Sequence, residues 1–201
     1  MTLDLTAGVS LKAQHYADAL ACDAPGIWFE AHPENYMSDG GPRLAWLDAI
    51  AARHPLSFHG VGLSLAADEP LDEAHLASLR RLVDRCRPAV VSEHLAWSAR
   101  GGTYWPDLFP FPRTAVALAR ITRNVDRMQQ ALGRRVLIEN PSLYVPLAGH
   151  EMSELELLCE LTHRTGCGLL IDVNNVHATA HNLGQSATAY IDDLPGDAVG
   201  E

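Results

Sequence analysis

Six short apolar runs, alternating with stretches of helical period, constrain this chain more than any other feature of its sequence. The runs are Thr6–Ser10, Gly26–Glu30, Pro55–Gly60, Ala89–His94, Val136–Asn140 and Gly168–Asp172. Each is five or six residues of largely apolar or β-branched character, the pattern of a strand buried on both faces. Between them lie helical candidates: Lys12–Ala21, Pro42–Ala51, the Leu71 to Cys86 stretch, and the face Val116, Ala119, Val125, Met128 and Leu132. A capping-box spacing at Ser153–Glu156 starts another, expected to end near Gly166, and a last helical piece spans Ala187–Leu194. Trp97–Pro112 reads as a long aromatic loop, and Ala198–Glu201 opens a further strand.

Strands alternating with helices of this length build βαβ units and a parallel sheet. A doubly wound nucleotide fold would carry a GxGxxG turn after its first strand, and the sequence has none. A TIM (β/α)8 barrel satisfies the pattern better. Such barrels use eight strands over about 250 residues. With 201 residues, six units and the opening of a seventh, the expectation is one incomplete barrel domain over 1–201, cut short before closure.

The formal net charge of −10 lacks the electrostatic footprint of a nucleic-acid binder. No stretch approaches the roughly 18 apolar residues of a membrane span, and Met1–Leu5 lacks a signal-peptide pattern, so a cytoplasmic location is expected. Cys22, Cys86, Cys159 and Cys167 form no CxxC pair and read as buried free thiols of a reducing compartment. Neither a GxSxG nor an HExxH motif occurs.

The chemistry collects at the strand ends, where barrel sites form. They carry Glu30, His59, Glu93-His94, Glu139-Asn140 and Asp172. A buried carboxylate such as Glu139 costs several kcal/mol unless paired or bound to a metal. Clustered carboxylates interleaved with imidazoles are best satisfied by cations, and this donor set suits iron, manganese, zinc or cobalt. His59, His94, Glu139 and Asp172 are the ligand candidates; Glu93 points to the opposite face from His94 and reads as structural. Asn175 and His177 follow on an irregular segment as ligands or orienting groups, and His32, Glu34, Asn35 and Asn140 as mouth-lining residues. The structural alternatives are satisfied core histidines, an ion-paired Glu139 and an Asp172 that caps a helix or loop.

Five phrases resemble one family: His32-Pro33-Glu34-Asn35-Tyr36, Phe58-His59-Gly60-Val61-Gly62-Leu63-Ser64-Leu65, Ser92-Glu93-His94-Leu95, Ile138-Glu139-Asn140 and Leu170-Ile171-Asp172-Val173-Asn174-Asn175. It is the family of multinuclear non-haem iron-dependent oxidative enzymes that includes the methanobactin-biosynthesis oxidase. The resemblance implies a xylose-isomerase-like barrel holding two or three iron ions, ligated by His59, His94, Glu139 and Asp172, with Asn175 taking part. It implies that Glu139 bridges two ions and, with Asp172, serves catalysis. The implied activity is O2-dependent oxidation of residues, often Cys, in ribosomally made precursor peptides, with a small partner protein that presents the substrate. The resemblance implies that family members continue past the seventh strand with further ligands, so a chain ending at Glu201 is expected to hold part of the cluster and to be inactive or unstable alone. The alternatives are a divalent-metal isomerase or phosphoesterase, and a non-catalytic copy.

Overall fold

The computed structural model describes residues 7–201. Met1–Thr6, which carry the N-terminal reading and the first residue of the expected first strand, lie outside the described residues.

All six apolar runs form strands of one parallel sheet: β1 (Gly8–Ser10), β2 (Trp28–Ala31), β3 (Leu56–Gly60), β4 (Val90–His94), β7 (Leu137–Glu139) and β8 (Gly168–Leu170), paired in that order. Between β4 and β7 the chain inserts an antiparallel hairpin, β5 (Trp97–Arg100) and β6 (Thr103–Phe109). The chain thus takes the α/β architecture of a xylose-isomerase-like TIM barrel. Past β8 the barrel begins another strand: Leu169 bridges Val199 in parallel, Gly200 N–H donates to the Leu169 carbonyl, and Ile171 N–H donates to that of Glu201.

The helices follow α1 (Tyr16–Ala21), α2 (Pro42–Ala51), α3 (Glu73–Cys86), α4 (Ala115–Leu132), α5 (Glu154–Thr165), α6 (Val173–Leu183) and α7 (Ala187–Asp192). Their ends are set by local chemistry. Asp72 caps α3 by accepting from Ala74 and His75 N–H, and the Ser153–Glu156 capping box starts α5. Gly133 and Gly166, at φ of 65° and 69°, end α4 and α5 in the left-handed conformation that a glycine adopts without Cβ strain. The core lies between sheet and helices, where Phe58, Ile138 and Leu169 meet Ile121, Val125, Leu157 and Leu161. Fully burying each such side chain stabilises by about 1.5–3 kcal/mol.

Three expectations need correction. Trp97–Pro112 is a hairpin rather than a loop: Gly101 and Gly102, at φ of 60° and 72°, make its two-residue turn. The segment after Asp172 is the helix α6 rather than irregular chain. Among the cysteines, Cys167 is buried, Cys22 and Cys86 are half-buried and Cys159 is exposed, so burial does not hold for all four. Among the described residues, no helix is long and apolar enough to cross a membrane.

Candidate metal centre

Parallel register fixes which side chains meet inside the barrel. His59 pairs with Ser92, and His94 with Glu139, so alternation along β3, β4 and β7 sends these four side chains to the inner face. There, His94 Nε2 lies 2.8 Å from Glu139 Oε2, and His59 Nε2 lies 3.1 Å from the same oxygen. The two imidazole Nε2 atoms are 3.3 Å apart. Glu139 is 4% exposed and His59 6%, so little water reaches the trio.

The far side of each ring is already engaged. His94 Nδ1–H donates to the Gly60 carbonyl at 2.9 Å, and His59 Nδ1 lies 2.8 Å from Ser92 Oγ. A carbonyl only accepts, so the His94 proton belongs on Nδ1 in the neutral ring, and its Nε2 then presents a lone pair toward Glu139. The third group is the buried Glu139 Oε2, which receives no donor while both rings are neutral and a hydrogen bond from Nε2–H once His94 is protonated. Asn175 Nδ2 donates to Glu139 Oε1 and to the Asn140 carbonyl, both at 3.0 Å, which fixes the carboxylate plane.

Lone pairs converging this closely repel one another unless protons or a cation lie between them. Without metal, protons do that work. Burial opposes charge on His94, but the hydrogen bond and charge of Glu139 outweigh it and raise the imidazole to about 9. Burial would likewise raise Glu139; the two imidazoles overcome this and hold it at about 2. With His94 neutral, two imidazole nitrogens and a carboxylate oxygen converge as the donor set of a transition-metal site.

Of the remaining candidates, Asp172, Asn175, Asn140 and His32 lie near this trio, and Glu34, Asn35 and His177 do not. Asp172 caps α6, accepting from Asn174 and Asn175 N–H, and lines a cavity of about 110 Å³ together with His94, Glu139 and Asn175. Asn140 ties the ends of β7 and β8 together through the Asp172 carbonyl and N–H. His32 Nδ1–H donates to the His59 carbonyl at 2.9 Å, behind the ligand rather than in the trio. Glu34 Oε1 accepts from Val61 and Gly62 N–H and lies near His75, on the α3 side of the sheet. Asn35 is exposed, and His177 sits on the exposed face of α6 beside His181. Glu30 accepts from Ser10 Oγ.

Sequence reasoning missed Ser92, Ser57 and Glu201. Ser92 and Ser57 each stand two residues before a strand-end histidine, the spacing that puts them on the same inner face, and that signal was available. Glu201 accepts from Ser57 Oγ at 3.0 Å across the barrel interior, a pairing of residues far apart in sequence. Burial pushes its carboxyl up. Glu93 does face away from His94, as read. It is 1% exposed, its Oε2 has no hydrogen-bond partner, and burial with the nearby Glu34 charge raises it to about 8.

A sequence model of the family described as RiPP precursor modification enzyme MbnB/TglH/ChrH matches residues 6–201. The chain belongs to this family. It is the family that the five phrases resemble. The chain is 64% identical over 196 residues to a UPF0276 protein of Caulobacter vibrioides, covering 98% of this chain and 70% of that protein. It is 46% identical over 199 residues to a UPF0276 protein of Bordetella pertussis, covering 99% and 69%. Among solved structures it is similar to D-psicose 3-epimerase from Clostridium cellulolyticum H10, with a TM-score of 0.58 at 11% identity over 95% of this chain and 67% of that one. It is also similar to the 3-keto-D-glucoside 4-epimerase of E. coli, with a TM-score of 0.56 at 12% identity over 96% and 76%. At such identities the likeness speaks for the barrel fold and for nothing about the reaction.

Proposed function

We propose that this chain carries the metal-binding wall of a non-haem iron enzyme that oxidatively modifies a precursor peptide. The observation that carries the reading is the convergence of His59 Nε2, His94 Nε2 and Glu139 Oε2 within 3.3 Å, in a member of a precursor-peptide modification family. Iron, when bound, supplies redox chemistry toward O2 and an anchoring charge for a substrate thiolate. The chain's own residues prepare the place. Gly60 and Ser92 hold the histidines by Nδ1, leaving Nε2 for the metal, and Asn175 orients the Glu139 carboxylate. Asp172 and the Asn175 side chain lie beside the same cavity as candidates for completing a larger cluster.

The hairpin forms the opposite wall. Leu108, Phe109 and Pro110 line the cavity that His94 and Glu139 enter, and Phe109 stacks on Trp97 with ring centroids 4.5 Å apart. This apolar wall limits water at the site and offers a surface for a peptide, with a small presenting protein as the proposed helper.

Metal analysis of anaerobically purified protein tests the reading. Iron bound in preference to zinc or manganese, with spectroscopic coupling between ions where more than one is held, is the expected result. A single zinc or manganese with no affinity for ferrous iron overturns it in favour of isomerase-type chemistry.

A further inference from the structure

Two non-glycine residues have a positive φ among the described residues: Arg87, exposed where α3 ends, and Ser64, at 56° in the loop after β3. Left-handed backbone crowds a Cβ against the following carbonyl, so a serine held there needs a compensating contact. Ser64 is buried, and Leu63 and Leu65 on either side of it belong to the core. The loop is pinned around it. Asn124 Nδ2 donates to the Leu65 carbonyl at 2.8 Å, and Ala67 N–H to the Ser64 carbonyl at 2.9 Å.

The compensating contact is with the hairpin. Ser64 Oγ accepts from Ser98 N–H at 2.8 Å and from Ala99 N–H at 3.1 Å, two successive amides of β5. A regular ladder turns successive N–H groups to opposite edges, so one acceptor serves both only where the strand is irregular. The irregularity is there. Trp97 pairs with Phe109 and Ala99 with Tyr104, so two steps of β5 face five of β6 and the register breaks at Ser98. Ser98 is 1% exposed, and a buried amide left without an acceptor is costly. The left-handed turn brings the Ser64 hydroxyl oxygen to both amides.

Trp97, the residue before Ser98, carries the effect to the metal centre. Its ring stacks on Phe109, and its Nε1–H donates to the Pro110 carbonyl at 2.8 Å. Phe109 and Pro110 are wall residues of the cavity that His94 and Glu139 enter. The same loop also holds the near side of that cavity, since Ala66 N–H donates to the carbonyl of the lining residue Ala96 at 3.0 Å. The hairpin's tip is tied separately, by Gly101 N–H donating to Glu69 Oε1 at 2.6 Å. We propose that Ser64 is a positioning residue of the metal centre: it caps the irregular stretch of β5, so fixes Trp97, and through Trp97 sets the Phe109–Pro110 wall that keeps water from the bound metal. This rests on the metal-site reading above.

The test is water-proton relaxation in protein loaded with Mn2+ alone, an ion this donor set suits, compared among wild type, Ser64→Gly, Trp97→Ala and the double variant. Ser64→Gly accepts the left-handed turn and removes only the hydroxymethyl group. It should leave Mn2+ affinity unchanged and raise the relaxivity of the bound ion about twofold as water gains access. Trp97→Ala should raise it as much, and the double variant no further, because the two residues act in one chain of contacts. Glu69→Ala, which frees only the tip, should match wild type. In metal-free protein, hydrogen exchange at Ser98 and Ala99 should be about tenfold faster in Ser64→Gly. A lowered melting temperature with unchanged relaxivity, additive effects in the double variant, or unchanged exchange at Ser98 and Ala99 would overturn the proposal. No Mn2+ bound by the wild type, with the exchange effect intact, would instead remove the metal-site reading and with it the role of Ser64 there.

Discussion

The two faces of β4 carry neighbouring residues with opposite fates. His94 points inward to Glu139, while Glu93 points outward to the Glu34 side. Glu139 and Glu93 are almost equally buried, at 4% and 1% exposure, yet one carboxyl is held at about 2 and the other raised to about 8. Burial penalises both. The difference lies in company: two imidazoles surround Glu139, and another carboxylate stands near Glu93. The partner set, more than depth, decides the charge of a buried acid in this wall.

The comparison breaks most visibly if Glu139 is removed. In metal-free protein Glu139→Ala leaves the His94 cation without its counter-ion, and urea unfolding should show a loss of about 3–5 kcal/mol near pH 7. A loss below about 1 kcal/mol would mean that His94 is neutral there. The outer acid should behave in the opposite way. Because the folded protein holds the Glu93 proton up to about pH 8, its contribution is fully present below the unfolded carboxyl range near 4.3 and is lost as pH rises toward 8. Glu93→Gln should therefore flatten the stability profile between about pH 4.5 and 8 and stabilise the protein at pH 7 by roughly 1–3 kcal/mol. An unchanged slope in that window would show that Glu93 already has a partner.

Metal binding should report the inner face through protons. His94 is raised to about 9 in the metal-free protein, so binding at pH 7 must displace its proton, and affinity should rise about tenfold per pH unit until about 9. In that metal-free state the pair's stability runs the other way for the histidine: full below its unfolded value near 6.5, lost as pH passes about 9. For Glu139 it is full above the unfolded carboxyl value and lost as pH falls through about 2. Calorimetry in buffers of different ionisation enthalpy should count about one proton released per first metal ion at pH 7; none released would contradict the charged His94. The smallest effect is expected from Ser92→Ala, which frees His59 Nδ1 and should weaken metal binding by about tenfold, read from competition with a chelator.

Much of this wall was legible from residues alone. Strand ends and period-two alternation bring His59, His94 and Glu139 to one face and turn Glu93 to the other, because register in a parallel sheet leaves little freedom. The helix after Asp172 was hidden by Asn174 and Asn175, poor helix formers, although Val176, Thr179 and Ala180 carry the helical spacing of its buried face. The hairpin was hidden by reading Gly101-Gly102 as loop composition rather than as a two-residue turn between strands. The Glu34–His75 approach and the Ser57–Glu201 bond had no local signal, since each joins elements that meet only in the folded barrel.

The most direct measurement is the iron content of Glu139→Ala and Glu93→Ala, prepared side by side under anaerobic conditions with ferrous iron supplied. If the inner trio holds the metal, Glu139→Ala falls to background while Glu93→Ala keeps most of the wild-type iron. Equal loss from both, or iron retained in Glu139→Ala, would contradict the assignment of the metal to the inner face.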